Sequence, residues 1–283
     1  MTLQSPLILR KGASKIASAP LSAKFGIAVI IIYALTALLA PYLTRYGEAE
    51  IVGTQFEPWS ARFWLGTDNL GRDMFGRLVF GARNTIGIAL ITTTLAFSIG
   101  ASAGLAAAAL AGWTDQILSR LVDLMMSIPL LIFALLLLSI FGTSIPTLIM
   151  VIAVLDSTRV FRLTRAVSVN VAVLDYVEVA RLRGEGAIWI MTREILPNVM
   201  PTLIAEFGLR FCFVFLLISG LSFLGIGIQP PTADWGSMVR ETSALITYGD
   251  ITPLLPAGAI ALLAVGVNLV VDWFLQSASG LKD

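Results

Sequence analysis

The chain has 283 residues, 57% of them hydrophobic and only 13% charged, with a net charge of +1. Soluble domains run at about 25% charged and about 45–50% apolar, so a single soluble core is excluded and a polytopic membrane protein is implied. The near-zero charge gives no reason to expect a nucleic-acid partner. The absence of histidine and the single Cys212 remove the usual metal ligands, the usual proton shuttle and any intrachain disulfide. No metal and no cofactor are expected.

A helix needs about 20 apolar residues to cross the hydrocarbon layer, and six segments meet or approach that length. Residues 1–24 read as a tail carrying Arg10, Lys11, Lys15 and Lys24, and residues 25–44 as the first transmembrane helix. That run is too long for a signal h-region and carries Pro41 where cleavage would fall, so it reads as an uncleaved anchor. Residues 45–84 follow as an extracytoplasmic loop containing an amphipathic helix over LGTDNLGRDMFGR. Thr67 or Asp68 is expected to cap that helix, and Asp73 to pair with Arg77 four residues on.

The remaining spans are placed at Thr85–Ala111, Leu121–Phe141, Ile145–Leu155 with an extension to Val160, Leu203–Ile228 and Leu254–Leu275. Arg159, Arg162 and Arg165, three apart, line one helix face and are expected to snorkel toward headgroups. Glu206 and Arg210, one turn apart, are expected to pair near the cytoplasmic end of the fifth span. In LSFLGIGIQPPTADWG, Ser219, Gly220 and Ser222 permit close helix approach, while Trp235 suits a membrane–water boundary.

Orientation follows from the basic residues. The N-terminal tail and the loop between spans four and five hold most of them, and six spans put both on the cytoplasmic side with both termini. Arg45, Arg62, Arg72, Arg77 and Arg83 in the loop after span one stand against this, opposed there by five acids.

Between spans four and five lies EVARLRGEGAIWIMTREILPN, residues 178–198. Glycines at 184 and 186 weaken a helix and permit a bend or a close backbone approach. Trp189, Ile190 and Ile195 supply an apolar face. Pro197 is expected to end the helix before the chain returns to the membrane at Pro201. A loop of this length with helices of its own is a docking shape rather than a plain connection.

This stretch resembles the cytoplasmic motif E-A-A-x-x-x-G, nine residues, I-x-L-P, of permease subunits in binding-protein-dependent ABC importers. Glu178, Ala180, Gly184, Leu196 and Pro197 fall in register; Val179 replaces alanine, and Glu194 stands where isoleucine is usual, with Ile195 one residue late. LGTDNLGRDMFGRLVFGAR and LSFLGIGIQPPTADWGSM resemble the second permease type of dipeptide, oligopeptide and nickel importers. A glutamate often found three residues before LSFLG is here Ile218.

The resemblance implies an all-α type I permease with six transmembrane helices, and makes residues 85–283 the core, with a cytoplasmic coupling loop at about 161–201. It implies that Glu178, Ala180, Arg181, Arg183, Gly184, Leu196 and Pro197 seat in an ATP-hydrolysing subunit. It puts the outer mouth of the substrate path near Ser219, Ser222, Phe223, Gly225 and Trp235. Its partners would be a second permease, two ATP-binding subunits and a soluble binding protein, in the inner membrane of a bacterium. The chain itself has no G-x-x-x-x-G-K-[ST] phosphate loop, so no ATPase activity of its own is expected. An ion-coupled secondary transporter is the alternative, disfavoured because spans one to three carry no central charge. An intramembrane enzyme ranks last for want of a nucleophile–base pair or metal cluster.

Overall fold

The computed structural model describes residues 19–279, with side chains through residue 277. Most of the expected tail therefore lies outside the described residues. In chain order the helices are α1 (Leu21–Leu43), α2 (Met74–Leu110), α3 (Gly112–Met126), α4 (Leu130–Phe141), α5 (Ile145–Ala172) and α6 (Asp175–Leu182). Then come α7 (Ala187–Trp189), a π turn (Ile190–Ile195), α8 (Leu196–Phe223), α9 (Trp235–Thr242), a 3-10 turn (Ser243–Tyr248) and α10 (Leu254–Ser279). Two isolated β-bridges, Ile51 with Arg72 and Thr67 with Asp73, are the strand-like pairings among the described residues.

Four helical stretches are long and apolar enough to cross a membrane: Leu21–Leu43, Met74–Leu110, Ala187–Phe223 and Leu254–Ser277. The expected third span is not one helix. It breaks between α3 and α4, which meet at 86°, because Pro129 cannot continue a helix and holds Ile128 out of the α region. Trp113, Ile117, Leu121 and Leu124 form an exposed apolar stripe along α3. The opposite face turns Asp115 and Asp123 toward α5.

The fourth expected span is a continuous 28-residue helix, α5. It packs parallel to α2 through a G-x-x-x-G seam, a motif that lets two backbones approach closely. A Cβ on Gly100 would clash with the Ser157 carbonyl and sit 2.7 Å from Val160 Cβ; one on Gly104 would sit 2.8 Å from Thr164 Cβ. Two parallel neighbours in sequence need a return between them, and the bent α3–α4 pair supplies it.

Elsewhere the crossings are antiparallel. Gly26 on α1 lies against Gly266 on α10, while Tyr33, further along α1, donates from its hydroxyl to the Ala259 carbonyl at 3.2 Å. Gly208 on α8 abuts Val271 of α10, and Cys212 abuts Ala264. The directions alternate, so the start of α1, the end of α2, the segment 173–195 and the end of α10 share one side. Residues 45–73 and 224–253 share the other.

Several sequence expectations are corrected here. Segment 45–73 holds no separate amphipathic helix: the helix that starts at Met74 runs on as a 37-residue rod, about 55 Å at the usual rise. Its cap is Asp73, accepting from the Gly76 amide at 2.9 Å, rather than Thr67 or Asp68. The loop after the fourth span begins at residue 173, well after 161, because α5 extends to Ala172. Pro197 does not end a helix. It is the second residue of α8, and Pro201 lies inside that helix.

Candidate functional site

Segment 173–195 is built on a small second core in which Val177, Ala180, Ile190, Ile195, Val199 and Leu203 pack with Leu105. Helix α6 ends in a Schellman arrangement: the Gly184 amide donates to the Arg181 carbonyl at 2.9 Å and the Glu185 amide to Ala180 at 3.2 Å. Gly184 needs its glycine for a φ of +83°, since nothing lies within 4 Å of where a Cβ would project. The space beside it is open, not filled by this chain's own backbone.

The seven expected coupling residues divide by role. Ala180 is fully buried and Leu196 partly so, both in the second core. Glu178, Arg181, Arg183 and Pro197 are exposed. Arg181 reaches the Ala109 carbonyl at 3.4 Å, fastening α6 to the end of α2, and the Arg183 guanidinium lies 5.9 Å from the Trp189 ring centroid. Leu182 and Ile188, 81% and 74% exposed, and Val179 present apolar surface beside those charges.

The late isoleucine is accommodated by the π turn. Pro197 has no N–H to give to Arg193, and the next bond runs one residue wide, from the Leu196 amide to the Met191 carbonyl. Five-residue spacing along that wider turn brings Ile195 round toward the side of Ile190, and both are buried. Glu194 is thereby left at the edge.

At the opposite end of the bundle, the expected path residues separate. Ser219 and Phe223 line a cavity of 290 Å³ with Leu216, Gly220 and Gly236. Ser222 and Trp235 do not: both are buried structural groups. The Ser222 hydroxyl accepts from the Ile228 amide at 3.0 Å. Trp235 is no interfacial anchor. It sits edge-on to Tyr33 and Phe215, and its Nε1–H donates to the Leu78 carbonyl at 2.8 Å. Gly225, at φ +87°, lies under the Arg240 guanidinium. The anticipated close approach is real, because a Cβ on Gly236 would strike the Ser219 backbone.

The expected Asp73–Arg77 pair does not form. Arg77 instead ion-pairs with Asp68 and lies 2.7 Å from Glu241 of α9, while Arg72 lies 2.6 Å from Asp68 and 3.2 Å from Glu241. Two acids and two arginines close a buried knot between segment 45–73 and α9. Burial works to raise the Asp68 carboxyl, but the Arg72 and Leu70 amides and the two guanidinium charges outweigh it and hold it below its ordinary range. Asp234, buried as the N-cap of α9, is pushed up by that burial although Ser237 and Thr85 donate to it.

The arginine stripe of α5 is largely tied down rather than snorkelling. Arg165 grips Asp115 with both ends of its guanidinium, and Arg162 lies 2.6 Å from Asp123. Arg159 stands over the Phe213 ring at 4.4 Å. Glu206 and Arg210 do pair, at 2.8 Å. Because α8 starts at Leu196 rather than 203, however, Arg210 sits at its midpoint, about 20 Å from each end. A third member was missed: Asp156 of α5, fully buried, 3.6 Å from Arg210 and 3.9 Å from Arg159. An acid inside an apolar helix was the signal that could have found it.

This bent-helix bundle, with a helical insert on one side and a bridged outer layer on the other, defines a membrane component of a transport system. The chain belongs to the family of binding-protein-dependent transport system inner membrane components, whose model matches residues 96–278. It is a multi-pass permease subunit of an ATP-driven importer.

Among its relatives is the dipeptide transport system permease protein DppC of Alkalihalophilus pseudofirmus, 31% identical over 91% of this chain and 83% of that one. The di/tripeptide transport system permease protein DppC of Pseudomonas aeruginosa is 33% identical, covering 91% and 85% respectively. The glutathione transport system permease protein GsiD of Pectobacterium atrosepticum is 30% identical over 79% and 72%. A crystal structure of an amino acid ABC transporter with histidines shares the fold, with a TM-score of 0.54 over 72% of this chain and 94% of that one, at 18% identity.

Proposed function

We propose that this chain moves short peptides, and that residues 173–197 are the handle by which separate ATP-hydrolysing subunits drive it. The observation that carries the second part is the surface of α6 and α7. Val179, Leu182 and Ile188 stand exposed beside Glu178, Arg181 and Arg183, on a helix fixed from beneath by Ala180 and Val177. Apolar groups ringed by charge on a rigid base suit a protein partner. The peptide reading rests on the relatives named for dipeptide and di/tripeptide transport.

In this reading the handle faces the cytoplasm of a bacterium, with both termini. A second permease completes the pathway, and a soluble binding protein meets the outer layer formed by residues 45–73 and 224–253. Closure of two ATPase subunits on ATP moves α6. The second core passes that movement to the inner ends of α2 and α8, because Leu105 and Leu203 are packed within it.

The test is Leu182→Asp, a substitution that touches nothing buried. It should abolish co-purification of the ATPase subunits and uptake while membrane insertion continues. Retention of the ATPases at wild-type level would end the assignment.

A further inference from the structure

Asp156, Arg159, Glu206 and Arg210 form a charged cluster where α5 meets α8, midway along the apolar helix Leu196–Phe223. Ionised groups within a spanning helix are costly and face a bundle interior or a water-filled cavity. The cluster is only half closed. Asp156 is 0% exposed, while the side chains of Glu206 and Arg210 are 18% and that of Arg159 is 34% exposed. Lipid cannot cover those open ends at acceptable cost, so that face borders water or protein.

The cluster is also short of partners. Both Asp156 carboxylate oxygens and Nε and Nη1 of Arg210 are buried without a hydrogen bond among the described residues. The Asp156 contacts, at 3.6 and 3.9 Å, are charge contacts longer than hydrogen bonds. Glu206 approaches Arg210 closely but out of line. Both guanidinium groups stand over the Phe213 ring, Arg159 at 4.4 Å and Arg210 at 5.3 Å from its centroid.

Position adds a second argument. Glu206, Arg210, Phe213 and Gly220 fall on one stripe of α8 by helical spacing. Gly220 lines the outer 290 Å³ cavity. One helix face therefore runs from the outer cavity down to the cluster. A second cavity, 410 Å³ between α1, α2, α8 and α10, is walled by groups such as Ile86, Phe207, Phe211 and Val267, with no charged residue among its lining. It offers nothing to a charged solute.

We infer that this cluster is a relay site for the charged ends of a zwitterionic solute. Arg159 and Arg210 receive a carboxylate, and Glu206 receives an ammonium. Asp156, beneath them, is a positioning residue that holds the two arginines in place. The site presents two guanidinium groups to one end of such a ligand and the Glu206 carboxyl group to the other. Free-ended short peptides have that form, so the inference rests on the peptide reading above and adds the residues that would handle such a substrate inside the membrane.

The experiment uses the complete importer in liposomes, with loaded binding protein outside and ATP inside. The probe is an equimolar mixture of labelled free-ended di- and tripeptides. Arg159→Gln and Arg210→Gln should each lower the number of peptides taken up per ATP hydrolysed about tenfold, the size expected for losing a charged hydrogen-bond donor. The concentration of loaded binding protein giving half-maximal uptake should not move, and Arg210→Lys should recover part of the loss. If Arg159→Gln leaves peptides per ATP unchanged, whether or not overall turnover drops, the cluster is a structural charge pair and the inference fails. If the wild-type importer takes up none of the mixture, the peptide reading itself falls, and this inference with it.

Discussion

Two clusters in this molecule have the same formula, two carboxylates and two arginines, and opposite character. In the outer knot, Asp68 and Glu241 each bind both Arg72 and Arg77, with every side chain at least nine-tenths buried. In the cluster between α5 and α8 the contacts to Asp156 are 3.6 and 3.9 Å, and three of the four side chains are partly open. Charge count alone does not set the role of such a group. Closure does: the outer knot, although Nε and Nη2 of Arg77 lack a hydrogen bond, is sealed on all sides and serves as a fastening, whereas the cluster between α5 and α8 is open at three of its four members and can be reached by a new partner.

The largest expected effect separates the two directly. Arg77→Met leaves Asp68 and Glu241 with one arginine between them in a dry site and should cost about 3–5 kcal/mol. Arg159→Met, at a partly exposed position, should cost about 1 kcal/mol or less. Thermal unfolding of the two purified variants measures both, and equal losses would erase the distinction. Next in size is Gly100→Leu, which forces a side chain into the α2–α5 seam beside Ser157 and Val160. It should cost about 1–3 kcal/mol through overpacking. Because the residue after Asp156 is pushed aside, it should also disturb the loose cluster while sparing the knot: peptides taken up per ATP should fall, while the stability lost on Arg77→Met stays the same in the Gly100→Leu background.

The smallest effect is in pH. Asp68 is held below its ordinary value, so its contribution is fully present above the unfolded carboxylate range near about 3.9 and is lost as pH falls through the lowered folded value. The stability gap between wild type and Asp68→Asn should therefore be constant from neutral pH down to that range and shrink below it. A gap that widens on acidification would contradict the assignment of Asp68 as the anionic centre of the knot.

Much of the fold was legible because membrane spans declare themselves by length and apolarity, as α1, α8 and α10 do. The inner segment was legible through its glycine and its LP pair. What escaped the sequence depended on tertiary partners. Arg77 had two acids within reach along the chain, and nothing local says that Asp68 rather than Asp73 would hold it, still less that Glu241 would join from far along the chain. Trp235 carries the composition of an interfacial residue but is claimed by Tyr33, Phe215 and Gly81. The G-x-x-x-G at Gly100 and Gly104 is written in the sequence, but the helix that packs on it is not. The depth of Arg210 is not legible locally, because two prolines near the start of α8 have the look of a boundary, whereas a wider turn absorbs the first and the helix continues through the second.

The matched permease segment begins at residue 96, after α1, the outer segment and the first part of α2, whereas Glu241 lies inside it. The knot is thus a rivet between the segment that the family model matches and the part of the chain that precedes it. A chimera that grafts a relative's first 95 residues onto this body must bring a matching pair of arginines, or Glu241 is stranded without counter-charge. The reverse graft needs its own acid on α9.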